Sequence, residues 1–435
     1  MGSLSSSFVA IATWVGSVWF VCISPEALIV DALASHKSYR AEWIHLDHLK
    51  PCERISPRRS GAVPIPTNPR NSRRNPLLFG GYAEVDSNPP SPSSSTLKQQ
   101  PFLRYVVNDL WEWNNNHNTW NKLETRNDES NRTRSGDMPV PRLVGAAAVV
   151  EEVVYLFGGW NSDDPNNMFL DTIHKLHLDT TNNQHDALRW KALATRIPGG
   201  PVSRHVAVAL EETARNGGEN NNHEHRGGKI LVHTHRCQDY VWIFDTTTET
   251  FAKQPTTGPC PSSRGLHAAC HVPTRGGGGV VMFGGASQDG TMSNQLFWLD
   301  TNTWEWQELS ANDFTSSATE VKNAPSPRAG SCLCSIEGEK CVIMYGGAEA
   351  TDGGLKPHGD VWLFDLENLG WTCLLPSTNH DAPPPRNAAA LLALPHHPDK
   401  ETGEQGTVSD FLMTTGWAPF RRTWDDCYIL RVSKN

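Results

Sequence analysis

Short apolar runs that stop on a glycine pair recur along the chain: LLFGGY at 77–82, VVYLFGGW at 153–160, VVMFGGA at 280–286 and VIMYGGA at 342–348. FLMTTGW at 411–417 keeps one glycine, and ILVHTHR at 230–236 keeps the apolar run with neither. The runs are too short for helices and few stretches show a 3.6-residue period, so the pattern predicts short buried strands. Upstream of each lies a proline followed by an arginine: Pro57 and Arg58, Pro141 and Arg142, Pro201 and Arg204, Pro261 and Arg264, Pro327 and Arg328, Pro385 and Arg386. Downstream comes an aromatic strand, usually ending in an acid, as in YVWIFD, LFWLD and VWLFD. A further aromatic follows (Trp120, Trp190, Phe251, Trp306, Trp371), and Leu123, Leu193, Leu309 and Leu374 recur three residues after the tryptophans. Each unit therefore reads as four short strands, repeated at steps of about sixty residues.

A unit of this kind cannot cover both of its faces alone, so neighbouring units must stack. The apolar run into Gly-Gly, the spaced aromatics and the Trp-x-x-Leu strand resemble the kelch repeat over about residues 43–432. The Gly-His and Trp-Asp signature of WD repeats does not recur. The resemblance implies an all-β fold, a six-bladed kelch β-propeller. Its blades fall at about 57–123, 141–193, 201–254, 261–309, 325–374 and 383–432, with 1–41 as a separate apolar N-terminal segment. The last unit lacks a fourth strand, while EWIHLD precedes the first as an orphan. Residues 43–46 are therefore expected to complete the last blade and close the ring, leaving no bare edge.

Antiparallel pairing puts the loops after Gly-Gly and the blade-to-blade connections on one face, the loop face. The hairpins between first and second strands, 211–228 and 396–408 among them, lie on the other. Candidate binding residues on the loop face follow the arginine or the glycine pair: Arg59, Tyr82, Trp160, His205, His235, Arg236, Asn387 and Trp417, with Arg421 and Arg422 in the last blade. Arginine forks onto carboxylates and aromatics anchor interfaces. On a chain of formal charge −9, this set points to an acidic or carboxylate-ended protein or peptide partner. The same charge argues against general nucleic-acid binding, which needs a basic face.

Chemistry is harder to find. The ten cysteines form no CxxC pair, and most read as small buried side chains. His205, His233, His235 and His267 fall in adjacent blades, and the alternation of His233 and His235 would place both on one side of a strand. A metal site needs three convergent ligands, and packing is the plainer reading. The chain resembles galactose oxidase in its propeller, without a comparable histidine and Tyr–Cys constellation. The Glu-x-x-x-Asp-x-x-x-His iron motif of kelch specifier proteins is absent from the sequence. The expectation is thus a protein-interaction module with no catalytic residues, metal or cofactor: a scaffold or substrate-recognition adaptor, with ubiquitin-ligase receptors as a family precedent. The alternative is a secreted or membrane-anchored propeller enzyme of oxidase or sugar-binding type. Residues 8–23 carry no charge, yet are short for a spanning helix and lack a basic leader. A cytoplasmic location is expected, with export or membrane contact through 8–23 as the alternative.

Overall fold

The computed structural model describes residues 38–46, 54–55, 57–66, 75–86, 102–127, 137–178, 188–210, 228–273, 278–309, 324–378, 382–395, 408–418 and 423–434. Every regular element among them is a strand, and no helix there is long and apolar enough to cross a membrane. The strands form six blades, antiparallel in their four main strands, and a separate hairpin of Ala348–Thr351 with Gly354–Pro357. Their first strands, Val63–Ile65, Ala146–Val150, Val206–Leu210, Ala268–Val272, Cys332–Ser335 and Ala390–Ala393, contact one another in a closed circuit around the axis. Small side chains dominate these segments because six strands converge there.

The ring closes as the orphan strand requires. Tyr39–His45 pairs along its whole length with Cys427–Lys434, with Trp43 opposite Leu430. It is the outermost strand of blade 6, and it begins four residues earlier than the tryptophan that marks it in the sequence. Thr125–Asn127 lies parallel on the outer edge of blade 2, which covers an exposed ladder.

Blades pack by one repeated contact. The residue that ends the apolar run of one blade meets the fourth-strand aromatic of the next: Phe79 with Trp190, Phe157 with Phe251, His233 with Trp306, Phe283 with Trp371 and Tyr345 with Trp43, at centroid separations of 5.4, 6.4, 6.2, 5.5 and 5.3 Å. His233 thus occupies a packing position that an aromatic ring fills in the other four pairs.

The repeated arginine explains the glycine pair. Arg59, Arg142, Arg264 and Arg328 each donate from Nη1 to the carbonyl of the first glycine, Gly80, Gly158, Gly284 and Gly346, while Arg386 donates to Thr415. A side chain on the first glycine would meet the backbone carbonyl at the buried-arginine position of the next blade, and both glycines have positive φ, +52° and +114° at Gly158 and Gly159. A Cβ on Gly158 would stand 2.6 Å from the carbonyl of Val202. The repeat position in blade 1 is therefore Arg59, not Arg58, since Arg59 is the buried one. In blade 3 it is Val202, two residues before Arg204. There the loss is concerted: no arginine, no glycine pair, and Tyr240 in place of the aspartate that blades 1, 5 and 6 supply from the third strand.

That aspartate matters because a buried cation must be paired. Asp109, Asp360 and Asp426 grip Arg59, Arg328 and Arg386 with two bonds each. Burial pushes the Asp360 carboxyl up, but the Arg328 hydrogen bonds outweigh it and hold the group below its usual range. Arg264 bonds Gln295, which passes the contact on to Glu308. From its third strand Arg142 receives only the hydroxyl of Thr172, at 3.3 Å, and its Nη2 has no partner among the described residues. Burial alone lowers this guanidinium to about 9.

Candidate functional site

Two residues after the buried-arginine position, each blade places one residue in the left-handed region: Gly61, Val144, Arg204, Leu266, Gly330 and Ala388, with φ between +45° and +69°. Their backbones join head to tail. Val144 N donates to Gly61 O (2.8 Å), Arg204 N to Val144 O (2.8 Å), Leu266 N to Arg204 O (2.9 Å), Gly330 N to Leu266 O (2.9 Å), Ala388 N to Gly330 O (3.0 Å), and Gly61 N to Ala388 O (3.2 Å). Six peptide groups thus form a closed hydrogen-bonded ring around the axis. Four of its members are not glycine; each accepts a backbone strain of roughly 1–3 kcal/mol that the ring itself offsets. The ring is the floor of the loop face.

Arg204 is the one charged side chain on that floor. It is exposed, its guanidinium lies 6.0 Å from the Trp160 ring, and no carboxylate pairs with it among the described residues. Trp160 in turn stacks on Phe169 at 6.3 Å and 15°, and Phe169 is 49% exposed. This Phe169–Trp160–Arg204 stack is a patch of apolar surface ending in a free cation, a combination suited to an acidic group beside an apolar one. The hairpin of blade 1, Leu77–Asp86 with Phe102–Asn114, rises beside it and is tied to blade 2 by Val106 N donating to Asp163 (2.7 Å). Its Arg104 and the adjoining Arg58 are paired with two carboxylates, the buried Glu84 bridging both and Asp86 pairing with Arg58.

The sequence-derived candidates divide. Tyr82, Trp160, His235, Arg236, Asn387 and Trp417 are half-buried. Trp160 pairs with Leu143, and Trp417 with Asn387, through reciprocal backbone bonds on the loop face. Arg236 is partly held, with Nη2 donating to Pro201 O at 2.9 Å. Arg59 is wholly buried in its ion pair and is held inside the fold. His205 is also buried, below the ring, because it lies one residue deeper than the position the repeat spacing suggested. Arg421 and Arg422 lie outside the described residues. Arg204 and Phe169 went unnoticed as candidates. Counting back two residues from each first strand, AAAVV, VAVAL and AACHV, aligns Arg204 with Val144 and Leu266 and would have found it.

The histidines do not converge on a metal. His233 Nδ1 and His267 Nε2 are 3.2 Å apart, but among the described residues no group of three or more His, Cys, Asp or Glu side chains could hold an ion. The strand carrying His233 ends there, so the alternation that would have put His235 beside it lapses. Burial lowers His205 and His233 to about 3, helped by His235 and Arg264 respectively, and takes His267 well below its ordinary value. All three are neutral at pH 7.

Residues 217–398 match the family model of the KLHDC2/KLHL20/DRC7 Kelch-repeats domain. Kelch domain-containing protein 2 of Bos taurus is 28% identical over 279 residues, 60% of this chain and 59% of that protein. Acyl-CoA-binding domain-containing protein 4 of Arabidopsis thaliana is 25% identical over 294 residues, 65% of this chain and 39% of its own length. Host cell factor of Drosophila melanogaster is 25% identical over 248 residues, 53% of this chain and 15% of its own. The chain thus spans less than two thirds of each of these relatives.

Proposed function

From this chain's membership of the kelch-repeat propeller family, we infer that it is a non-catalytic interaction module that holds a partner on the loop face. Kelch propellers typically mediate protein–protein interaction, and Kelch domain-containing protein 2 is among the relatives above. The observation that carries the reading is the Phe169–Trp160–Arg204 stack on the floor ring, with Arg236 and Trp417 on the same face. The partner presents an acidic side chain or a terminal carboxylate next to an apolar residue. Arginine meets the carboxylate, and the indole covers the apolar neighbour. A scaffold that selects substrates for a ubiquitin ligase is one form such a module takes.

The test is affinity capture by the full chain, with the captured proteins identified, repeated for Trp160→Ala, Arg204→Ala, Arg236→Ala and Arg421→Ala. Truncating one partner of a desolvated charge contact costs about 2–5 kcal/mol, so the arginine variants lose the partner while deletion of 211–227 does not. Peptides from the captured protein, with free or amidated C-termini and with acidic residues neutralised, then separate the two carboxylate sources. Capture that survives the alanine variants and is abolished by the deletion places the site on the opposite face.

A further inference from the structure

We propose that the central channel is a second binding site, distinct from the loop face and entered from the hairpin face, for a small uncharged molecule with one hydrogen-bonding end and a slender apolar body. The channel has a volume of about 1250 Å³, somewhat above the usual range of small-molecule pockets. None of the six ring residues lines it. The ring narrows that end to the bore of six hydrogen-bonded peptides, so the cavity lies beneath it. Among the described residues the lining runs on to Asn115, Glu337 and Arg431 at the hairpin end.

Chemistry varies with depth. Directly beneath the ring, at the third position after the buried-arginine site, three consecutive blades place His205, His267 and Ser331, and the next places Ala389. Among the described residues neither ring nitrogen of His205 has a hydrogen-bond partner, nor has Ser331 Oγ, and His205 is only 5% exposed. Buried polar groups left without partners are costly, a cost that a ligand's polar end would relieve. The walls are first strands reading AAAVV, VAVAL and ALLA, joined by the thiols of Cys270, Cys332 and Cys334, which burial keeps protonated. The charged lining residues, Glu337, Asp410 and Arg431, sit at the hairpin end, where Arg431 forks onto Asp410 at 2.8 and 2.9 Å. Arg264, the cation that acts on His233 and His267, is engaged by Gly284, Ser262 and Gln295. With His205, His233 and His267 neutral, no free charge deep in the channel among the described residues can hold an ion. A neutral head fits where a carboxylate or ammonium would stay unpaired.

The full chain is titrated with octan-1-ol, octanoate and octylammonium by calorimetry at pH 7. The expected result is saturable one-to-one uptake of the alcohol, with each charged analogue at least about tenfold weaker. His205→Leu and Ser331→Val each lower the affinity for the alcohol about three- to tenfold. Arg236→Ala, on the loop face, leaves it unchanged. Amide exchange protected by the alcohol falls on Ala268–Val272 and Cys332–Ser335. Melting temperatures accompany both variants, and Ser331→Val, at a half-buried position, carries the test if His205→Leu does not fold. The proposal is overturned by absence of saturable uptake, equal affinity for octanoate, wild-type affinity in Ser331→Val, or protection confined to the loop face. None of these outcomes bears on partner capture, which the loop face decides.

Discussion

The indole of Trp43 meets the Tyr345 ring edge-on at 5.3 Å, so a residue from the start of the chain packs against blade 5 while its strand completes blade 6. This contact closes the propeller. A chain beginning at residue 48 lacks the strand and bares the edge of Cys427–Lys434, whereas one beginning at 36 retains it. The first should melt well below the full chain and the second with it. Trp43→Ala should cost about 3–5 kcal/mol, as for a buried aromatic replaced by alanine. Equal melting temperatures for the full chain and the 48–435 chain would refute the closure.

Gly158→Val tests the glycine pair. Valine at φ +52° meets the Val202 carbonyl, with the new Cβ at 2.6 Å, and the backbone strain alone is roughly 1–3 kcal/mol. Chemical denaturation should show at least that loss. A variant as stable as the parent would mean that Arg142 and the turn tolerate a side chain there.

Arg142 offers the opposite sign. It is the buried arginine with neither a carboxylate nor a relay to one, and Thr172 stands where Asp109, Asp360 and Asp426 stand in their blades. Thr172→Asp should restore the two-pronged pair and stabilise the fold by about 1–3 kcal/mol, the scale of a charged hydrogen bond. A melting temperature that stays level or falls would show that the bulged strand cannot present the carboxylate.

The buried histidines set an acid limb. His205 and His233 lie at about 3 in the folded chain, against about 6.5 when unfolded. The unfolded chain therefore binds more protons between those values. The stability these groups contribute is complete above about pH 6.5 and is lost as pH falls toward about 3. His233→Phe restores the aromatic that most blades carry at this position, so its denaturation midpoint should fall less between pH 7 and 4.5 than that of the parent. Parallel pH curves would remove His233 from the acid limb.

The fold was largely legible in the sequence because its cause is local and repeated. The apolar run, the glycine pair and the spaced aromatics each mark one strand, and the orphan Trp43 strand had only one unpaired edge to join. The site was less legible. Arg58 and Arg59 are adjacent in the chain, and only burial distinguishes the one that staples Gly80 from the one on Glu84. Arg204 read as the repeat arginine because its spacing matched, yet Val202 holds that place. Local pattern determined strand identity, blade number and the order of closure, since these depend on neighbours along the chain. Which arginine is interior, how six left-handed residues join into one ring, and which faces share a surface were decided by tertiary structure. Those relations link residues distant in the chain, across a blade or between blades, and burial there sets the cost of each charge.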